Sequence, residues 1–399
     1  MTIGRRRILL GAAFGLAALL AGAGAAIFWP GDGNQTGVDG GVTDAAVDRP
    51  SIFAIKNSET GDIYLLERTG RQLQLELALS AEIFKEIAPE LAEEYEGWPL
   101  HASFLSGDIL VTGGPRAVHV FEFEAGQWIV KQEVSFDNFP ELVDKSVTPV
   151  PVALSADFLA VHAAGGDSDN LLIFGRDGGQ WSLAHAIATT GAEGLSAKFN
   201  VAQAVIDGAA LAVGVVDSDR DGVYIFDLGA EEWSLRQVVS PDALPDMPAT
   251  FHVFSKLAFS DGRLAVAIDD IVYMLEEEAG GWALKQQIFA QDFPGLTGRT
   301  FTGVWTAAKM VGGTLALADS ELLYVFSYGD GEWVLERNIP LGKQYGPRRE
   351  TGSGHGVTLR GGLIILGKFA GSLEEGAEEN VRVFVRDDDE WLLDKTLDL

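Results

Sequence analysis

Asp217-Ser218-Asp219-Arg220-Asp221-Gly222 sets three carboxylates at alternate positions before a glycine. That spacing gathers acids round a hard cation, and the glycine allows the sharp turn of a calcium loop. Asp167-Ser168-Asp169 stands in the same phase one repeat earlier. Calcium is therefore the cofactor for which the chain offers ligands, although Ile225 and Leu228 hold the places where a long calcium loop would close on acids. Acidic turns on an acidic chain also serve simply as solvated turns. A second group, Lys256, Lys309, Gln203 and Thr358, has the donors to hold an anion, and His101 and His355 share one phase beside it. The histidines show no H-E-x-x-H spacing, so catalytic zinc is not indicated, and no G-x-S-x-G elbow, phosphate loop or dinucleotide fingerprint is present.

What must position these residues is a repeat. GVYIFDLGAEEWSLRQVV (Gly222–Val239) recurs as AVHVFEFEAGQWIVKQEV (Ala117–Val134), LLYVFSYGDGEWVLERNI (Leu322–Ile339) and four further copies, at steps of about 50 residues, the period of a propeller or similar array. Each copy follows a hairpin such as FSDGRLAVAI (Phe259–Ile268), in which a small Gly/Asp turn joins two apolar runs. One unit is thus four antiparallel strands. Seven units predict an all-β, seven-bladed β-propeller over residues 51–399. The tryptophans Trp128, Trp181, Trp233, Trp282, Trp333 and Trp391 fall at one position of the outer strand, where a large ring covers the space between blades. The first repeat begins at Ser51 without a clear inner strand, so either 42–47 supplies it or that blade has three strands. Residues 81–95 carry apolar residues at helical spacing around Pro89, which predicts a short helix between the first two blades.

Period-2 alternation divides each inner strand into a packed set and a set facing the axis. Leu257/Phe259 and Ala308/Met310 belong to the first; Gln203/Val205, Lys256/Ala258, Ala307/Lys309 and Thr358 belong to the second. An unpartnered lysine is costly to bury, which places Lys256 and Lys309 in a wet channel.

The pattern Gly107-Asp108, Val213-Gly214, Tyr224-Ile225-Phe226, Trp233 and Gln237, with its equivalents, resembles the FG-GAP repeat of bacterial secreted proteins and of the integrin α head. The naming Phe-Gly pair is absent from most copies, and Gly-Ala-Pro survives only as Gly113-Gly114-Pro115. The resemblance implies a non-catalytic binding or adhesion propeller, sometimes with calcium in its loops.

The net charge of −29, from 29 basic and 58 acidic residues, repels phosphate backbones and anionic lipid, so nucleic acid is not an expected partner. There is no cysteine, which excludes disulfides and thiolate metal sites. Arg5-Arg6-Arg7 precedes an uncharged run, Ile8 to Trp29, that reads as an export signal over residues 1–30, cleaved after small residues or retained as a transmembrane anchor. In the second case the N-terminal segment alone meets the membrane. Residues 31–50 are rich in Gly, Asp and Thr and read as a flexible linker. The expectation is an exported protein of the periplasm or cell envelope that binds a protein or glycan through its loop face. The alternatives are a propeller hydrolase or lyase with its site at the channel mouth, and a scaffold for envelope assembly.

Overall fold

The structure is a computed structural model that describes the strands and tight turns between Ser51 and Asp398. Residues 1–50 and most of the longer connectors lie outside the described residues. The export signal, the linker, the candidate strand at 42–47 and the candidate helix at 81–95 are among them. No helix among the described residues is long and apolar enough to cross a membrane.

Every described sheet is antiparallel. Six are four-stranded, and the first, Ser51–Lys56, Ile63–Thr69 and Gln72–Leu79, is three-stranded among the described residues. The fourth sheet shows the pattern: Val201–Asp207, Ala210–Val215, Gly222–Leu228 and Trp233–Val239, paired in chain order from an inner to an outer strand. Most described inner hairpins turn where glycine can take a positive φ, as at Gly208 and Gly312 (54° and 56°), whereas that of the third sheet turns through Ser155-Ala156-Asp157 without a glycine. In the first sheet, Phe53 pairs with Leu66 just as Leu211 pairs with Phe226, so Ser51–Lys56 corresponds to a second strand. The inner strand is the one lacking among its described residues.

The core lies between sheets. Each sheet turns one face to its predecessor and one to its successor, and apolar clusters join the second to the third, the third to the fourth, and so on to the seventh. Leu66 of the first sheet packs with Leu363, Ile365, Val381 and Val383 of the seventh, bringing the two ends of the repeat together. Leu244 and Leu296, from connectors that follow outer strands, are buried in two of these clusters.

A β-bulge recurs in all six four-stranded sheets between the third and fourth strands, leaving Lys131, Ala184, Arg236, Lys285, Glu336 and Asp394 unpaired in register. Because side chains alternate with period two, one extra residue reverses which face the rest of the strand presents. Trp282 therefore packs against the fourth sheet, whereas Ile288 on the same strand packs against the sixth. All six outer tryptophans are buried at 2–7% exposure. The reversal also lets the residue four places after the tryptophan reach forward to the next sheet. Gln237 Nε2 donates to the Trp282 carbonyl (3.0 Å) while its Oε1 accepts from the Trp282 N–H (2.6 Å). Gln132 clasps Trp181 and Gln286 clasps Trp333 in the same way. A Cβ at Gly281 would stand 2.6 Å from Gln237 Oε1, which accounts for glycine beside this clasp.

Candidate functional site

The inner strands of the fourth, fifth and sixth sheets, Val201–Asp207, Lys256–Ser260 and Ala307–Val311, lie side by side. They run from the side of the long connectors to the side of the tight turns. Lys256 is the first residue of its strand and so sits at the connector-side mouth, Lys309 lies midway along its own, and Asp207 ends the third at a turn.

The division into packed and axis-facing positions needs correction. Leu257, Phe259 and Met310 are buried as expected, but Ala258 and Ala307 are buried too. Ala258 joins the cluster between the fifth and sixth sheets, and Ala307 the cluster between the sixth and seventh. Adjacent inner strands approach closely enough to cover a short side chain on either face. Lys309 is exposed and Lys256 partly exposed, as are the shorter Val205 and Ala308 on the same inner strands.

Neither lysine has a hydrogen bond or ion pair among the described residues. Burial among the surrounding strands disfavours the ammonium form and brings Lys256 down to about 8. Lys309 is also lowered by burial, opposed by the negative charge of Asp207 two sheets away. Lys309 is reached by solvent yet desolvated, as a side chain in a narrow bore is. The carboxyl of Asp207 is raised first by burial and then by the charge of Asp261, against the lowering effects of the Asp261 N–H and Lys309. Its Oδ2 accepts that N–H at 2.7 Å, and Ser260 Oγ accepts from Gly312 N–H at 3.1 Å, so the tight turns of three successive sheets are tied together.

Gln203 is committed elsewhere. Its Oε1 accepts the Leu257 N–H (2.8 Å) and its Nε2 donates to the Leu257 carbonyl (3.2 Å), which stitches two inner strands together rather than presenting an amide to a ligand. Thr358 lies on the inner strand of the seventh sheet, Val357–Arg360, and is partly exposed. His101, His355, Asp167, Asp169, Asp217 and Asp219 lie outside the described residues. Asp221, the last acid of the candidate calcium turn, is described and partly buried. Among the described residues no group of three metal-ligating side chains comes together. Asp207 escaped the sequence reading because it stands in Ile206-Asp207-Gly208, which reads as turn chemistry and nothing more.

No protein-family model matches the chain, and no curated protein does. Solved structures do match. A protein from Bacteroides uniformis described as a candidate 6-phosphogluconolactonase aligns with a TM-score of 0.54 at 13% identity, over 88% of this chain and 97% of its own. A second protein with that description, from Bacteroides fragilis, gives 0.52 at 12% over 90% and 97%. A protein from Lactobacillus plantarum gives 0.52 at 12% over 87% and 96%. With its four-stranded antiparallel sheets packed face to face in sequence, the chain is an all-β protein of the propeller type. The expectation of a non-catalytic propeller binding a protein or glycan is corrected by this comparison, because structures aligning over nearly their whole length carry an enzyme description. The adhesion resemblance followed blade-building residues: Trp233 and Gln237 serve the contacts between sheets, and contacts of that kind specify no activity.

Proposed function

We propose that the chain is an exported hydrolase of lactones or esters, with its site in the bore of a closed seven-bladed ring whose blades derive from an FG-GAP-like repeat. The observation that carries the reading is Lys256. It is an unpaired amine at the connector-side mouth whose ordinary value near 10.5 is brought to about 8 by burial, so a useful fraction is neutral near physiological pH. A neutral Lys256 amine takes a proton from water as the oxygen attacks the substrate carbonyl. The acyl C–O bond then breaks and the leaving oxygen recovers the proton, so ester and water become acid and alcohol. The enzyme descriptions of two structural neighbours favour a hydrolase over a lyase or an assembly scaffold. Export rests on the basic and apolar N-terminus.

The test is acid release from a panel of sugar lactones and simple esters, followed in a pH-stat. Activity should rise through pH 8 as Lys256 deprotonates, and Lys256→Met should lose at least about 100-fold in kcat/KM, the scale of a general base. An inactive wild-type protein across the panel, or a Lys256→Met variant with an unchanged profile, defeats the reading.

A further inference from the structure

We infer that Lys309 is the specificity residue of the bore and holds an anionic group, a carboxylate or phosphate, of the molecule bound there. As a statement of substrate class this rests on the hydrolase reading; as an anion site it stands on the geometry alone.

Four lysines have described side chains. On the outer strands, Lys131 meets Glu124 at 2.5 Å and Lys285 meets Glu278. On the inner strands, Lys256 and Lys309 meet no carboxylate among the described residues, in a chain with twice as many acids as bases. Pairing is thus the rule for the described lysines of the outer strands and fails for those of the inner strands.

An ammonium enclosed by protein with no counter-ion is disfavoured, and the same enclosure strengthens its attraction for an anion that enters. The acidic surface repels anions, so a cationic bore selects for a ligand whose own shape carries it inside. Lys309 suits this better than Lys256, because it lies deeper along its strand and the negative charge of Asp207 opposes the loss of its proton. Asp207 acts at a distance and makes no ion-pair contact with Lys309, so the ammonium donors remain available to a ligand oxygen. Asp207 also opposes any anion that binds. Its one named contact is the Asp261 N–H, which orients the carboxylate and holds it at the turn. Lys256 at the mouth and Lys309 within then divide the substrate: the reacting carbonyl near the first, the anionic group toward the second.

The probe is inorganic phosphate, titrated calorimetrically into the full-length protein at neutral pH and low salt, with acetate as the carboxylate counterpart. Wild-type protein should bind one phosphate or acetate per chain. Lys309→Met and Lys309→Gln should each weaken binding at least tenfold, and Asp207→Asn should tighten it at least threefold. A purely structural role for Asp207 predicts no tightening, which keeps the test informative if one lysine variant folds poorly. Absent binding of both anions, undiminished binding by the Lys309 variants, or unchanged binding by Asp207→Asn overturns the inference. Phosphate bound through Lys309 by a protein that cleaves no lactone leaves the anion site standing and removes the hydrolase. Cleavage of neutral lactones without anion binding does the reverse.

Discussion

Lys131 and Lys285 on outer strands each meet a glutamate, whereas Lys256 and Lys309 on inner strands meet none among the described residues. The β-bulge explains half of this contrast. It takes one residue of each outer strand out of the pairing register, and at that place stand Lys131, Arg236, Lys285 and Glu336, all in ion pairs. Arg236 spans Asp227 of its own sheet and Glu277 of the next, both at 2.6 Å. The inner strands have no counterpart to this bulge in every sheet, and there is less space around them. Outer strands commit their charged residues to ion pairs, within a sheet for Lys131 and Lys285 and between sheets for Arg236 and Glu277, while the inner strands leave two ammonium groups unpaired among the described residues.

The sharpest way to break this comparison is to disturb the outer packing. Trp233→Ala should lower unfolding stability by about 3–5 kcal/mol in urea titration, the usual cost of truncating a buried aromatic residue. Trp233→Phe should cost much less, because the Trp233 indole N–H has no hydrogen-bond partner among the described residues and only ring volume changes. An equal loss for both variants would show that the indole nitrogen matters after all.

Burial acts on titratable groups in the packed region as well. His119, fully covered on the third strand of the second sheet, is lowered from 6.5 to about 4 by burial. Its neutral form is the folded one, so its contribution is complete above the unfolded value of 6.5 and is lost as pH falls toward 4. The loss should be on the order of 3 kcal/mol, measured as urea midpoints across that window, and His119→Phe should flatten the dependence there. A variant with the wild-type slope would place the sensitive group elsewhere.

Gln237→Ala removes both bonds to the Trp282 backbone and leaves a half-buried N–H and carbonyl without them, at about 1–3 kcal/mol. Lys285→Ala, which breaks only an exposed ion pair, should leave the urea midpoint unmoved. One small effect should have the opposite sign: Lys309→Met should raise the midpoint slightly in the absence of ligand, because it removes an ammonium group that its surroundings desolvate. A fall would mean that Lys309 makes a stabilising contact in the folded protein.

Much of this architecture is local and therefore visible in the chain. The repeat period, the apolar runs, the glycine turns and the tryptophan position follow from side-chain periodicity and backbone preference, which neighbouring residues decide among themselves. Lys256 and Lys309 could be assigned to inner strands for the same reason, since a charge has no place in the packed set. Tertiary structure decided what those local rules leave open. Gln203 and Gln237 look alike as amides in strands, yet each is consumed by a backbone from the next sheet, a partner whose identity depends on how sheets stack. Ala258 and Ala307 alternate like residues facing a channel but are covered because adjacent inner strands come so near. Asp207 reads as part of a turn and becomes the electrostatic partner of Lys309 only when two intervening crossings bring their strands round the same bore. Such pairings depend on contacts between distant segments, and these are set by packing and register across sheets rather than by the preferences of any one strand.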